Sequence, residues 1–244
     1  MKKEYGYILI VYLIMQLSSY IGLPLTYKAG VAFGVDPIRM RELAPGYWIL
    51  TSFAVTLLIV WIILRKTSQN RLERMEPLPV GPSIFWAVAG VFLAFFAQRI
   101  AISIEMMLGV EMGSENTEMI VDVIELFPAT MLAVAILGPI LEEIVFRKII
   151  FGSLHEKFSF GISALLSSVI FAVAHMELEH ILLYSAMGFT FAFLYVKTKR
   201  LIVPIFAHVA MNSTVVVVQY FFKDEIERMM KEAEQLQSII AWLS

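Results

Sequence analysis

The stretch Gly138-Pro139-Ile140-Leu141-Glu142-Glu143-Ile144-Val145-Phe146-Arg147 sets two adjacent carboxylates and a guanidinium inside a long apolar run. A charged side chain at the centre of a membrane-spanning helix costs about 2.5–3.5 kcal/mol on insertion scales. Crossing a bilayer does not require that cost, so ionisable groups at such depth point to function. On a helix of about 3.6 residues per turn, neighbours point about 100° apart. Glu142 and Glu143 are therefore expected in different environments. Glu143 and Arg147 stand at i and i+4 and can stack as a desolvated ion pair. Glu142 is left without a helical partner, as the carboxylate free to bind and deprotonate water. The plainer alternative is a structural ion pair beside an interfacial glutamate.

Outward from this stretch, the chain of 244 residues is 59% hydrophobic and 16% charged, with mean hydropathy +0.77. Soluble domains are typically about 45–50% apolar and about 25% charged. The composition is that of an integral membrane protein whose first partner is the lipid bilayer. A net charge of -2 gives no ground for a nucleic-acid partner. The lack of cysteine excludes disulfides, thiol nucleophiles and Cys-ligated metals. The first apolar segment follows Lys2 and Lys3. It is too long for a signal h-region and lacks a small-x-small cleavage site, so it reads as a retained span.

A spanning helix needs about 20 mostly apolar residues. Seven segments qualify: Tyr5–Pro24, Gly46–Leu64, Pro82–Met106, Phe127–Leu154, Phe158–His175, Leu178–Val196 and Leu201–Phe222. The expected fold is all-α, a single transmembrane bundle over residues 1–222. Pro128 and Gly138-Pro139 should break or tilt the fourth segment. In the tail, residues 223–244, Ile226, Met229, Met230, Ala233, Leu236 and Ile240 recur at helical spacing among charges, which predicts an amphipathic helix. Lys2 and Lys3, then Arg65, Lys66, Arg71 and Arg74, then Lys148 and Lys157, then Lys197, Lys199 and Arg200 alternate with loops poor in Lys and Arg. The positive-inside rule places the N-terminus in the cytoplasm, with Lys28, Arg39 and Arg41 dissenting.

Two more sets of polar groups lie downstream. Phe171 and His175 are one helical turn apart; a histidine there could equally be interfacial, since Glu177, Glu179 and His180 follow at once. His208 and Asn212 are again i and i+4, two hydrogen-bond donors suited to an oxyanion. Their ordinary alternative is interhelical hydrogen bonding, worth about 0.6 kcal/mol in membranes. Gln98, Arg99 and Glu105 read as anchors at the outer end of the third span, and His155 as a solvated turn residue.

Glu-Glu-x-x-x-Arg, Phe-x-x-x-His and His-x-x-x-Asn, in that order on successive apolar segments, resemble the CPBP family of CAAX proteases and bacteriocin-processing enzymes, also called Abi. The resemblance covers about residues 129–218, the catalytic segment. It implies an intramembrane endopeptidase acting on membrane-associated or lipidated peptides or proteins, with a cavity inside a helical bundle. In that scheme Glu142 and His175 activate water, His208 and Asn212 hold the oxyanion, and Glu143, Arg147 and Phe171 support the site. No cofactor is expected. The runner-up is zinc held by Glu142, His175 and His208, disfavoured because there is no His-Glu-x-x-His set and Asn212 is a poor ligand. The rival classes are a non-catalytic protein giving bacteriocin immunity and a transporter; no internal repeat supports the latter. Straight upright helices would not bring these groups to one depth, so a tilt, a kink near Pro204 or a longer cytoplasmic turn before the fifth span is required.

Overall fold

The computed structural model describes residues 2–111 and 113–223, and beyond them residues 225, 226, 228, 229, 232 and 235. The amphipathic helix expected over residues 223–244 falls almost wholly outside the described residues. Among the described residues all regular structure is helical.

Helices α1 (Lys3–Leu17) and α2 (Ser19–Ala32) meet at a 58° bend. Helix α3 (Pro37–Leu64) starts nine residues before the expected Gly46. The cause is local: Asp36 accepts from the N–H groups of Ile38 (3.0 Å) and Arg39 (2.9 Å), and Pro37 fills the first turn. Helix α4 (Val80–Met107) follows a linker whose Asn70 and Leu72 are buried. Helix α5 (Glu115–Leu126), capped by Ser114, was not expected; its 12 residues are too few for a span count to register.

The fourth apolar segment is a chain of short pieces: α6 (Thr130–Leu132), a π turn (Ala133–Leu137), α7 (Gly138–Glu142), a second π stretch (Glu143–Phe151) and α8 (Gly152–His155). Pro139 donates no hydrogen bond and its ring crowds the carbonyl four residues back. The wide turn just before it relieves that clash, and the Gly138 N–H bonds to Ala133 instead. Then come α9 (Phe160–Ala174), a short turn over Leu178–His180, α10 (Ile181–Thr198) and α11 (Ile202–Phe221).

By length and composition four helices among the described residues can cross a membrane: α3, α4, α10 with its preceding turn, and α11; the bent α1–α2 pair, counted as one span, makes a fifth. The other two expected segments are present as the broken run 130–155 and the 15-residue α9. Large apolar side chains such as Phe85, Phe92 and Phe96 on α4 face outward, as lipid contact requires.

Two of the four apolar clusters among the described residues flank the broken run. One joins Tyr5, Ile8 and Tyr12 of α1 with Leu141, Phe146, Ile149 and Phe171. The other joins Ala94 of α4, Phe191 and Leu194 of α10, and Ala207 and Met211 of α11. Helices α9 and α10 pass so close at Gly188 that a Cβ there would lie 2.9 Å from that of Ser168, the small-residue contact typical of membrane bundles.

The basic segments gather at one end. Lys2 Nζ donates to the carbonyls of Ser68 and Gln69, Lys148 pairs with Glu73, and Asn70 donates to Tyr195 Oη at 3.0 Å. The start of α11 is fixed there too: Arg200 Nε donates to the Leu78 carbonyl at 2.9 Å. His155 lies at the same end, stacked on Phe151 and only part-exposed rather than solvated. Burial, with help from Arg71, holds its imidazole below the usual range.

Candidate active site

The broken run delivers the first motif to the seam between the two apolar clusters. Glu143 and Arg147 are both fully buried, with Nε 3.1 Å from Oε2. This is the expected i,i+4 pair, close but without directed hydrogen-bond geometry. None of the three guanidinium nitrogens finds a hydrogen-bond acceptor among the described residues. The cation lies instead over two aromatic faces, 4.5 Å from the Phe171 centroid and 5.3 Å from that of Phe191. Such contacts are worth about 2 kcal/mol when desolvated.

The second oxygen of Glu143 does something the helical spacing did not reveal. Oε1 accepts from His208 Nδ1 at 2.9 Å. The opposite imidazole nitrogen, Nε2, lies 3.7 Å from Glu142 Oε2. One histidine therefore bridges the two glutamates, which corrects the expectation of separate environments. The physical reason is the π stretch beginning at Glu143, because a wider turn rotates less per residue. Glu142 is otherwise as expected: its Oε2 is enclosed and has no hydrogen-bond partner among the described residues. The His208 ring is stacked on Phe191 at 4.6 Å.

His175 caps the end of α9, and its Nδ1 donates to the Phe171 carbonyl at 2.8 Å. A carbonyl only accepts, so in the neutral ring the proton sits on Nδ1 and the lone pair on Nε2. The Phe171 ring touches both histidines, with centroids 4.5 Å from His175 and 6.0 Å from His208. The second and third motifs thus flank one phenyl group. Asn212 is half-buried one turn beyond His208, with no side-chain hydrogen bond among the described residues. The broken run 130–155 brings Glu142 within 3.7 Å of His208 of α11.

Reasoning from the sequence missed Tyr184 and Tyr12 and read Glu177 and Glu105 as interfacial. Tyr184 stacks on His175 at 4.0 Å, and Tyr12 lies within electrostatic reach of Glu142 and Arg147. Glu177 accepts from the Tyr184 hydroxyl, from Ser114 Oγ (2.8 Å) and from the Asn116 N–H (2.9 Å). Burial alone would raise the Glu177 carboxyl, but these three donors outweigh it and hold the group below the usual range. Glu105 is not an exposed anchor. It is buried, binds His180 Nδ1 at 3.1 Å, and accepts from Leu183 N–H at the positive end of α10.

Among the described residues no three His, Asp or Glu side chains are grouped to hold a metal ion. His208 Nδ1 is committed to Glu143, which leaves its Nε2 facing Glu142 Oε2 across 3.7 Å.

Residues 124–214 match the family described as Type II CAAX prenyl endopeptidase Rce1-like. A protein of Bacillus subtilis (strain 168), whose name of membrane peptidase YdiL is itself provisional, is 46% identical over 244 residues, covering 100% of this chain and 99% of its own. The membrane-embedded CAAX protease MroQ of Staphylococcus aureus (strain USA300) is 33% identical over 193 residues, 76% of this chain and 77% of its own. No solved structure gives a significant match. The chain belongs to the Rce1-like CAAX protease family of membrane peptidases.

Proposed function

We propose that this chain is an intramembrane endopeptidase in which protein groups alone activate water for peptide hydrolysis. The observation that carries this reading is the Glu143–His208–Glu142 bridge, with the unpartnered Glu142 carboxylate at its open end. Glu142 takes the proton of a bound water. His175, whose Nε2 is free, shares that proton and passes it to the leaving amine. Glu143 orients His208 as the acid of a triad orients its histidine. His208 Nε2 can donate to the oxyanion while Nδ1 donates to Glu143 only as the imidazolium, a charge lying between two carboxylates. Asn212, with its amide uncommitted, supplies the second donor.

The basic end supports the orientation read from the sequence. Lys2, the linker after α3, Lys148 and Arg200 all meet there, which favours a cytoplasmic N-terminus. Seven crossings follow if the run 130–155 and α9 each traverse the bilayer. An apolar groove of about 400 Å³ lies between Leu132, Ala135, Ile136 and Ser213, Val216, Val217. It favours substrates that carry an apolar or lipidated segment.

The test is direct. The purified chain, reconstituted in vesicles, is given a membrane-anchored peptide library and the products are read by mass spectrometry. Two fragments from internal cleavage are expected. A library left intact by monodisperse protein would turn the reading to a binding protein such as an immunity factor.

A further inference from the structure

A general base is only as good as its aim. The His175 ring makes one hydrogen bond, to a carbonyl of its own turn, which fixes the proton on Nδ1. That bond leaves the ring free to rock about it. What stops the ring is Tyr184, lying 4.0 Å away with the two planes 25° apart. Phe171 closes the other side edge-on at 4.5 Å.

Tyr184 is itself tied at its far end. Its hydroxyl donates to Glu177, and Glu177 is anchored by Ser114 Oγ and the Asn116 N–H of α5. Met176, between His175 and Glu177, has φ 61°, the left-handed conformation that a side chain other than glycine or asparagine rarely takes. It is also 84% exposed, so no packing of its own side chain explains that backbone. The strained turn brings the Glu177 carboxylate back toward Tyr184. Backbone held this way persists where its surroundings over-determine it. Tyr184 is also within electrostatic reach of Glu142.

We propose that Tyr184 and Glu177 are positioning residues for His175: the tyrosine ring fixes the imidazole plane, and Glu177, braced by the start of α5, fixes the tyrosine. The proposal rests on the reading of His175 as a proton-transfer group, and its test separates the two. The chain has four histidines, so the protein labelled with ¹⁵N at its histidines gives a small set of imidazole signals, and His175→Gln assigns the one that matters. In the wild type His175 shows a single tautomer, protonated at Nδ1. In Tyr184→Leu and in Glu177→Gln it shows averaging between tautomers. In Tyr184→Phe, which keeps the ring and fills the same space, averaging is smaller than in Tyr184→Leu.

Turnover follows the same order. Misplacement by about 1 Å can cost about 100-fold in rate, so kcat falls by at least about tenfold in Tyr184→Leu with KM unchanged, and Tyr184→Phe recovers part of the loss. An unchanged imidazole pattern in folded Tyr184→Leu and Glu177→Gln overturns the proposal whatever their activity. A wild type that cleaves nothing, with variants whose His175 signal moves, leaves the positioning intact and defeats the hydrolase reading.

Discussion

Replacing Arg147 with alanine should unfold much of the protein, and the structure indicates why. Glu143 and Arg147 are both fully buried, so removing the cation strands a carboxylate that solvent cannot reach. Breaking a buried pair from one side costs about 3–5 kcal/mol. The lost contacts with the Phe171 and Phe191 faces add to this, at about 2 kcal/mol for a desolvated pair. The bond from His208 to Glu143 remains and limits the damage. A net loss of about 4 kcal/mol is a large share of the about 5–15 kcal/mol by which folded proteins are stable. The assay is thermal unfolding in detergent of the wild type, Arg147→Ala, Glu143→Gln and Glu143→Gln/Arg147→Met. Arg147→Ala should be the least stable of the four. The double variant should recover most of the loss, because two neutral side chains strand no charge. It should still be slow in catalysis, since His208 has lost the anion that orients it. If Arg147→Ala melted with the wild type, the pair would have no structural role and the reasoning would fail.

Three further outcomes are expected. Activity should survive exhaustive chelation and elemental analysis should find no stoichiometric zinc; activity lost to a chelator and restored only by Zn²⁺ would overturn the metal-free mechanism but not the peptidase class. Acid should loosen α5: Glu177 is held below its ordinary value of about 4.3, so its contribution is complete above that value and lost as pH falls through the lower folded one. Hydrogen exchange at residues 115–126 should rise over that range in the wild type and show no such step in Glu177→Gln. Asp36→Ala removes the cap of α3 and should cost about 1 kcal/mol; unfolding unaffected by it would mean that the exposed start of α3 is uncoupled from the bundle.

The three motifs were legible because each is an i,i+4 set. Spacing alone joined Glu143 to Arg147 and put His208 and Asn212 on one turn. The link from Glu143 to His208 spans 65 residues, and no local pattern encodes it. The π stretch that turns both glutamates toward His208 leaves only Pro139 as a sign, and Pro139 announces a break without its form. Span counting found the long apolar helices but passed over α5, whose charges disqualify it as a crossing. It also read Glu105 as interfacial, since burial of a carboxylate at a helix end depends on the neighbouring helix that supplies the N–H groups. Tyr184, nine residues beyond His175, falls outside any helical register with it because the chain turns at Met176.

The central claim, that Glu142 activates the attacking water, is tested most directly by single-turnover hydrolysis with Glu142→Gln. The substitution keeps the shape of the side chain and leaves the Glu143–Arg147 pair and the Glu143–His208 bond untouched. Removal of a general base typically costs about 10²–10⁴-fold. The account predicts a loss of that size with the melting temperature unchanged. A folded Glu142→Gln protein that cleaves at the wild-type rate would contradict it.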